Sequence, residues 1–144
     1  MQNFSVEEVM DNIRVEIRDK GLNIDELSYI SPYHNKMIKK LKSYNELIIF
    51  GAGEYGRIIV EDLEQHGIST IQCICDNNPK VIEKEMWGYK VLTPESALLA
   101  YKDACFVITP KEYENEILSQ LIHMGVTIEH ILFFNVKYTG LEIE

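Results

Sequence analysis

Gly51, Gly53 and Gly56 follow the apolar run Leu47-Ile48-Ile49-Phe50 and open a helix-like segment from Tyr55 to His66. This spacing can hold phosphate without a charged side chain. Gly51 would let the chain bend sharply off a strand, Gly53 would let a pyrophosphate approach the backbone, and Gly56 would let the helix sit close on the strand. The helix start then offers N–H groups and a partial positive charge of about half a unit to an anion. Asp76 stands twenty residues beyond Gly56, a separation at which a carboxylate can accept hydrogen bonds from a ribose. The candidate ligand-binding set is therefore Gly51, Ala52, Gly53, Glu54, Tyr55, Gly56 and Arg57, with Asp76 and Asn77 after the second strand. Arg57 could neutralise a phosphate; packing or an exposed ion pair would explain it equally well. The competing reading of the whole pattern is a glycine turn that holds no nucleotide.

These residues need elements to position them. From residue 46 onward strand and helix patterns alternate, with strands near 47–51, 71–75, 90–92, 105–109 and 131–135 and helices near 55–66, 94–101 and 111–124. Alternation of this kind implies parallel strands joined by right-handed helical crossovers. The expected fold is α/β, a three-layer Rossmann-like parallel sheet of order 3-2-1-4-5 with an N-terminal helical appendage. In that order the carboxyl ends of the first and fourth strands flank the point where ligands bind, so Gly51 and Thr109 face one crevice. Thr109, Pro110 and Lys111 join the candidates at second rank, although Thr109-Pro110 also reads as a cap-then-proline helix start. The crossover from Asp76 to Tyr89 reads as mostly loop.

Three segments follow: a helical region over 1–45, the nucleotide-binding-type domain over 46–137, and a tail over 138–144 that reads as a linker or simply the end of the chain. In the first, Ser5 and Glu8 form a capping box, and Val6, Val9, Met10, Ile13 and Ile17 make an apolar stripe over helix 6–20. That stripe must bury against the main domain, a missing neighbour or a second subunit, and a homodimer through 6–20 is one expectation. A second helix starts at Ser31-Pro32, with Tyr33, Met37, Ile38 and Leu41 on one face and Lys36, Lys39, Lys40 and Lys42 mostly on a solvated one.

Composition sets limits. The chain has 144 residues, 46% of them hydrophobic and 26% charged, as one soluble domain with an appendage requires. Its net charge of −9 and only 14 Lys and Arg argue against nucleic acid and anionic membranes as partners. A small phosphorylated ligand is compatible, because distant surface charge is screened over roughly 8–10 Å while amides act at contact. No stretch approaches the roughly 20 apolar residues needed to span a bilayer. The N-terminus shows no basic region followed by an apolar core, so a cytoplasmic placement is expected. Cys73, Cys75 and Cys105 fall on apolar strands and read as core residues. No metal is expected, since none of His34, His66, His123 and His130 has finger-like spacing to the cysteines or to one another.

Four stretches together carry a family resemblance: Ile48-Ile49-Phe50-Gly51-Ala52-Gly53-Glu54-Tyr55-Gly56, Cys75-Asp76-Asn77-Asn78-Pro79, Trp87-Gly88-Tyr89-Lys90-Val91-Leu92 and Thr93-Pro94-Glu95. The combination resembles the Rossmann-like domains of bacterial nucleotide-sugar enzymes, both the sugar 4,6-dehydratase and epimerase group of surface-polysaccharide pathways and the front domains of sugar acyltransferases. It covers roughly residues 46–134. The resemblance implies a pocket in which the three glycines cradle phosphates and Asp76 addresses a ribose. The ligand would be NAD or NADP in the first group and the nucleotide of a UDP-sugar in the second. An acid at position 76 suits NAD better than NADP, whose 2′-phosphate would meet a like charge.

The departures also count. No tyrosine here stands four residues before a lysine, the pair that short-chain sugar dehydrogenases use for proton transfer. Nor is there a hexapeptide-repeat region or a C-terminal substrate domain, so the expectation is a cofactor module without its catalytic half. Thr109, Lys111, Tyr113 and His123 have suitable chemistry but form no catalytic set. The expected function is an NAD-type dinucleotide-binding module; a non-redox UDP-sugar or CoA binding module, and an assembly domain with an empty crevice, are the alternatives.

Overall fold

The computed structural model describes residues 32–110 and 112–134. The helix expected over 6–20, Lys111 and the tail 138–144 lie outside the described residues. The elements are α1 (Pro32–Leu41), β1 (Leu47–Phe50), α2 (Glu54–Gln65), β2 (Ile71–Cys75), β3 (Glu85–Met86), β4 (Tyr89–Leu92), α3 (Pro94–Ala100), β5 (Cys105–Ile108), α4 (Glu114–His123), a 3-10 turn (Ile128–His130) and β6 (Ile131–Phe133).

Every residue of β1 and of β5 is buried, and both strands are unbroken apolar runs. That is what a parallel strand covered on both faces requires. Helix α2 buries Gly56, Ile59, Val60 and Leu63, one stripe at helical spacing. Helix α3 starts at Pro94, and the Thr93 hydroxyl oxygen accepts a hydrogen bond from the Ser96 amide at 3.1 Å, satisfying one donor at the helix start.

The strands lie in the order β3-β4-β2-β1-β5-β6. All pairs are parallel except β3 with β4. Numbered without β3, the parallel strands run 3-2-1-4-5, the expected Rossmann-like α/β order. Right-handed crossovers then set α2 on one face of the sheet and α3 and α4 on the other. Helix α1 completes the α2 side. Its Tyr33, Met37, Ile38 and Leu41 belong to the same buried cluster as the sheet, and the Tyr33 hydroxyl donates to the Phe133 carbonyl at 3.2 Å. Lys36, Lys39, Lys40 and Lys42 are all exposed. Each large apolar side chain so buried contributes about 1.5–3 kcal/mol by leaving water.

One local expectation is refined and one is corrected. The stretch before Tyr89 holds strand β3, paired antiparallel with β4 through Glu85↔Lys90 and Met86↔Tyr89. The hairpin closes on Trp87 and Gly88, whose φ angles of 55° and 88° are both positive, as tight hairpins prefer. A two-residue strand has no readable alternation, and Trp is not a turn signal. Helix α4 begins at Glu114, three residues later than 111, so Thr109-Pro110 does not start it. Thr109 is instead held to strand β1. Among the described residues no helix is long and apolar enough to cross a membrane.

Candidate functional site

Phe50 pairs with Cys75 on one side and with Ile108 on the other. This register brings the next residues, Gly51, Asp76 and Thr109, out of the sheet side by side. Backbone bonds hold them there: the Gly51 amide donates to the Cys75 carbonyl at 2.9 Å, and the Thr109 amide to the Phe50 carbonyl at 3.2 Å. The Thr109 hydroxyl donates to the same carbonyl at 2.9 Å, fully buried. Thr109 therefore shapes the turn and does not reach the crevice surface.

The three glycines differ physically. Gly51 has φ +127°, and a Cβ there would sit 2.4 Å from the Thr109 hydroxyl oxygen. A Cβ on Gly56 would lie 2.0 Å from the Gly51 carbonyl oxygen, so this glycine lets α2 dock on the turn. Gly53 has no neighbouring atom within 4 Å of its virtual Cβ. It is the N-cap of α2 and has no side chain to cap the helix start. The first two glycines build the turn, and the third leaves space above it.

The Asp76 carboxylate is oriented by two amides: Ala52 N–H donates to Oδ2 at 2.9 Å and Asn78 N–H to Oδ1 at 2.8 Å. An ionised carboxylate offers about four lone-pair positions, so about two remain for hydroxyls. Asp76 opens onto a crevice of about 520 Å³ that has Gly51, Asp76 and Asn77 along one wall and Pro110, Tyr113 and Gln120 along the other. Asn77 and Gln120 join the walls through a reciprocal amide pair at 2.8 and 2.9 Å.

Of the candidate residues named from the sequence, Gly51, Asp76, Asn77, Pro110 and Tyr113 line this crevice. Ala52 is buried at the turn, Gly53 and Glu54 are exposed beside it, and Tyr55 is half-buried in the first turn of α2. Arg57 is engaged along its own helix, with Glu54 through its Nε and Nη2 and with Glu61 at 2.9 Å. The bonded guanidinium holds the Glu54 carboxyl below its ordinary range, and the same bond raises Arg57. The charge of Glu54 at the helix start is thereby balanced, which keeps that end of α2 compatible with an anion.

Sequence reasoning missed the α4 wall. Beyond Tyr113, which was named only for its chemistry, Glu116, Ile117 and Gln120 line the crevice. The strand order itself was the available signal, since it points the segment after β5 at the switch point. Nothing in the sequence marks Gln120 as a partner for Asn77. The cysteines are free and buried. Burial pushes the Cys73 and Cys105 thiols up to about 12 and that of Cys75 well above its ordinary value, so all three are neutral core groups.

Strand order, crossover and glycine turn define the class, a Rossmann-like α/β domain. Residues 43–132, more than half of the chain, match the family described as C2185-like, N-terminal. The chain belongs to that family. Among solved structures it is similar to the Rex-family repressor RSP, at 19% identity over 90% of this chain and 79% of that one, with a TM-score of 0.49. RSP in complex with β-NADH matches at 20% identity over 88% and 68%, TM-score 0.49. UDP-D-quinovosamine 4-dehydrogenase from Vibrio fischeri matches at 14% identity over 65% and 78%, TM-score 0.46. No curated protein sequence matches the chain.

Proposed function

We propose that this domain binds a dinucleotide of the NAD type in the crevice between the β1 turn and α4. The observation that carries the reading is the Asp76 carboxylate, fixed by the Ala52 and Asn78 amides beside a turn where Gly53 leaves open space. An oriented acid with lone pairs to spare suits the two hydroxyls of a ribose. The uncapped start of α2 suits a diphosphate. Gly53 would take the phosphates, Asp76 the ribose, and the α4 wall the rest of the ligand. When bound, such a cofactor supplies hydride chemistry; the residues here bind and orient it.

The wider context we propose is nucleotide-sugar modification in surface-polysaccharide synthesis, on the strength of the four motif stretches. Titration calorimetry with NAD+, NADH, NADP+, UDP-sugars and CoA tests the reading. Binding of NAD(H) at micromolar affinity or better, weakened by Asp76→Ala and by Gly53→Val, is the expected result. Heat from a UDP-sugar or CoA with none from dinucleotides would transfer the site to a non-redox module. No heat from any of them would leave the crevice without a nucleotide role and favour an assembly domain. Mass spectrometry of a ligand that co-purifies with the protein tests the nucleotide-sugar context directly.

A further inference from the structure

A second cluster of reactive groups lies at the other end of α2, roughly 13–20 Å along the helix axis from the glycine turn at 1.5 Å per residue. The His34 ring on α1 donates from Nε2 to Asp62 Oδ2 on α2 at 2.6 Å. His66, one turn beyond Asp62, turns its Nδ1 inward, 2.7 Å from the Asp62 carbonyl oxygen and 3.5 Å from Asp62 Oδ1. One ligand atom from each of the three residues lies within 4.8 Å of the others. The His34 ring is held in place by stacking on Phe134, with centroids 5.5 Å apart, and by an edge contact with His66 at 5.1 Å.

We propose that His34, Asp62 and His66 bind a divalent transition-metal ion of the zinc class, tying α1 to α2. Two imidazoles and a carboxylate are the donor types such ions take, with bonds of about 2.0–2.2 Å in a tetrahedron whose corners lie about 3.3–3.6 Å apart. The two rings face different oxygens of Asp62, His66 Nδ1 at 3.5 Å from Oδ1 and His34 Nε2 at 2.6 Å from Oδ2, so the three ligand atoms, now within 4.8 Å of one another, converge on one ion by side-chain rotation. The side chains of His34 and Asp62 are 5% and 9% exposed, which shields two ligands from water. That of His66 is 37% exposed, which leaves an entry path and a fourth position for solvent. Asp62 on α2 and His66 at its C-cap sit four apart and so share a face, while His34 approaches from a separate helix. The cysteines do not compete for the metal, being buried and neutral. Loading requires each ring to present a lone pair where it now donates a hydrogen bond, so the ion replaces both of those bonds.

The test is calorimetric titration of the chelator-stripped full chain with zinc chloride, paired with cobalt absorption spectroscopy. The expected result is one ion per chain, a visible cobalt band of tetrahedral intensity, and a rise in melting temperature that follows RT ln(1 + [L]/Kd). His66→Gln should abolish all three. Because His66 is partly exposed, that variant should fold, as circular dichroism would verify, even where His34→Gln does not. His123→Gln, on the exposed face of α4, should bind as the parent does. Absence of zinc and cobalt binding, or unchanged binding by His66→Gln, overturns the proposal and leaves the trio a hydrogen-bonded clasp. The cluster shares no residue with the crevice, so zinc binding and NAD binding succeed or fail separately.

Discussion

The Asp76 carboxylate accepts a hydrogen bond from the Ala52 amide at 2.9 Å, which ties the end of β2 to the turn after β1. The acid that would grip a ribose and the bend that would hold a diphosphate are thus one mechanical unit. Loss of either should be felt by the other.

Asp76→Ala removes the acceptor for both the Ala52 and the Asn78 amides, and Ala52 is only 5% exposed. A buried amide left unpaired costs about 1–3 kcal/mol. The urea midpoint should fall accordingly with an unchanged slope, and NAD(H) affinity should drop about tenfold or more, a change of about 1.4 kcal/mol. Retained affinity would show that Asp76 is only a brace for the turn.

Gly53→Val and Gly56→Ala should separate binding from folding. A valine at Gly53 meets open space at a φ of −96°, so its stability cost should be about 1 kcal/mol or less, mostly from poorer capping. It should nevertheless occupy the ligand's volume and suppress NAD binding. An alanine at Gly56 would lie 2.0 Å from the Gly51 carbonyl oxygen and should destabilise by about 1–3 kcal/mol or more through overpacking. Chemical denaturation and calorimetry on both variants make the comparison.

Tyr113 caps α4 with φ 62° and is 68% exposed while lining the crevice. A left-handed conformation costs an aromatic residue roughly 1–2 kcal/mol that Asn largely avoids. Tyr113→Asn should therefore leave stability equal or higher by up to about 1 kcal/mol. If the ring packs on a bound nucleotide, the same variant loses affinity; a thermal melt with and without NAD reads both effects.

The three thiols give a pH prediction. Burial holds Cys73 and Cys105 at about 12, against an ordinary 9.0. Between those values the unfolded chain has lost protons that the folded chain keeps, so the thiols' contribution to stability falls as pH rises through that window and is fully present below it. Native protein at pH 8 should react with a thiol reagent far more slowly than protein in urea. Rapid reaction of all three in the native state would contradict their burial.

Much of the fold was legible because each strand carried its own punctuation. Leu47-Ile48-Ile49-Phe50 is apolar throughout and ends at a glycine, and Thr93-Pro94 marks its helix by a cap and a proline that act within one turn. The hairpin at Trp87-Gly88 and the late start of α4 were not legible. Both rest on positive φ at bulky residues, Trp87 and Tyr113, which the tertiary environment imposes against local preference.

The amino-acid order alone settled the five parallel strands and the helices between them, the glycine turn and the acid one strand away, because hydrophobic period and backbone steric freedom are local properties. Only the folded chain decided which groups meet across it. Register brought Gly51, Asp76 and Thr109 level, α4 supplied Gln120 opposite Asn77, and α1 carried His34 to Asp62 and His66. Those contacts join residues as far apart in the chain as Gly51 and Thr109, 58 positions, and long-range contacts are selected by sheet order and packing, which no window of sequence contains.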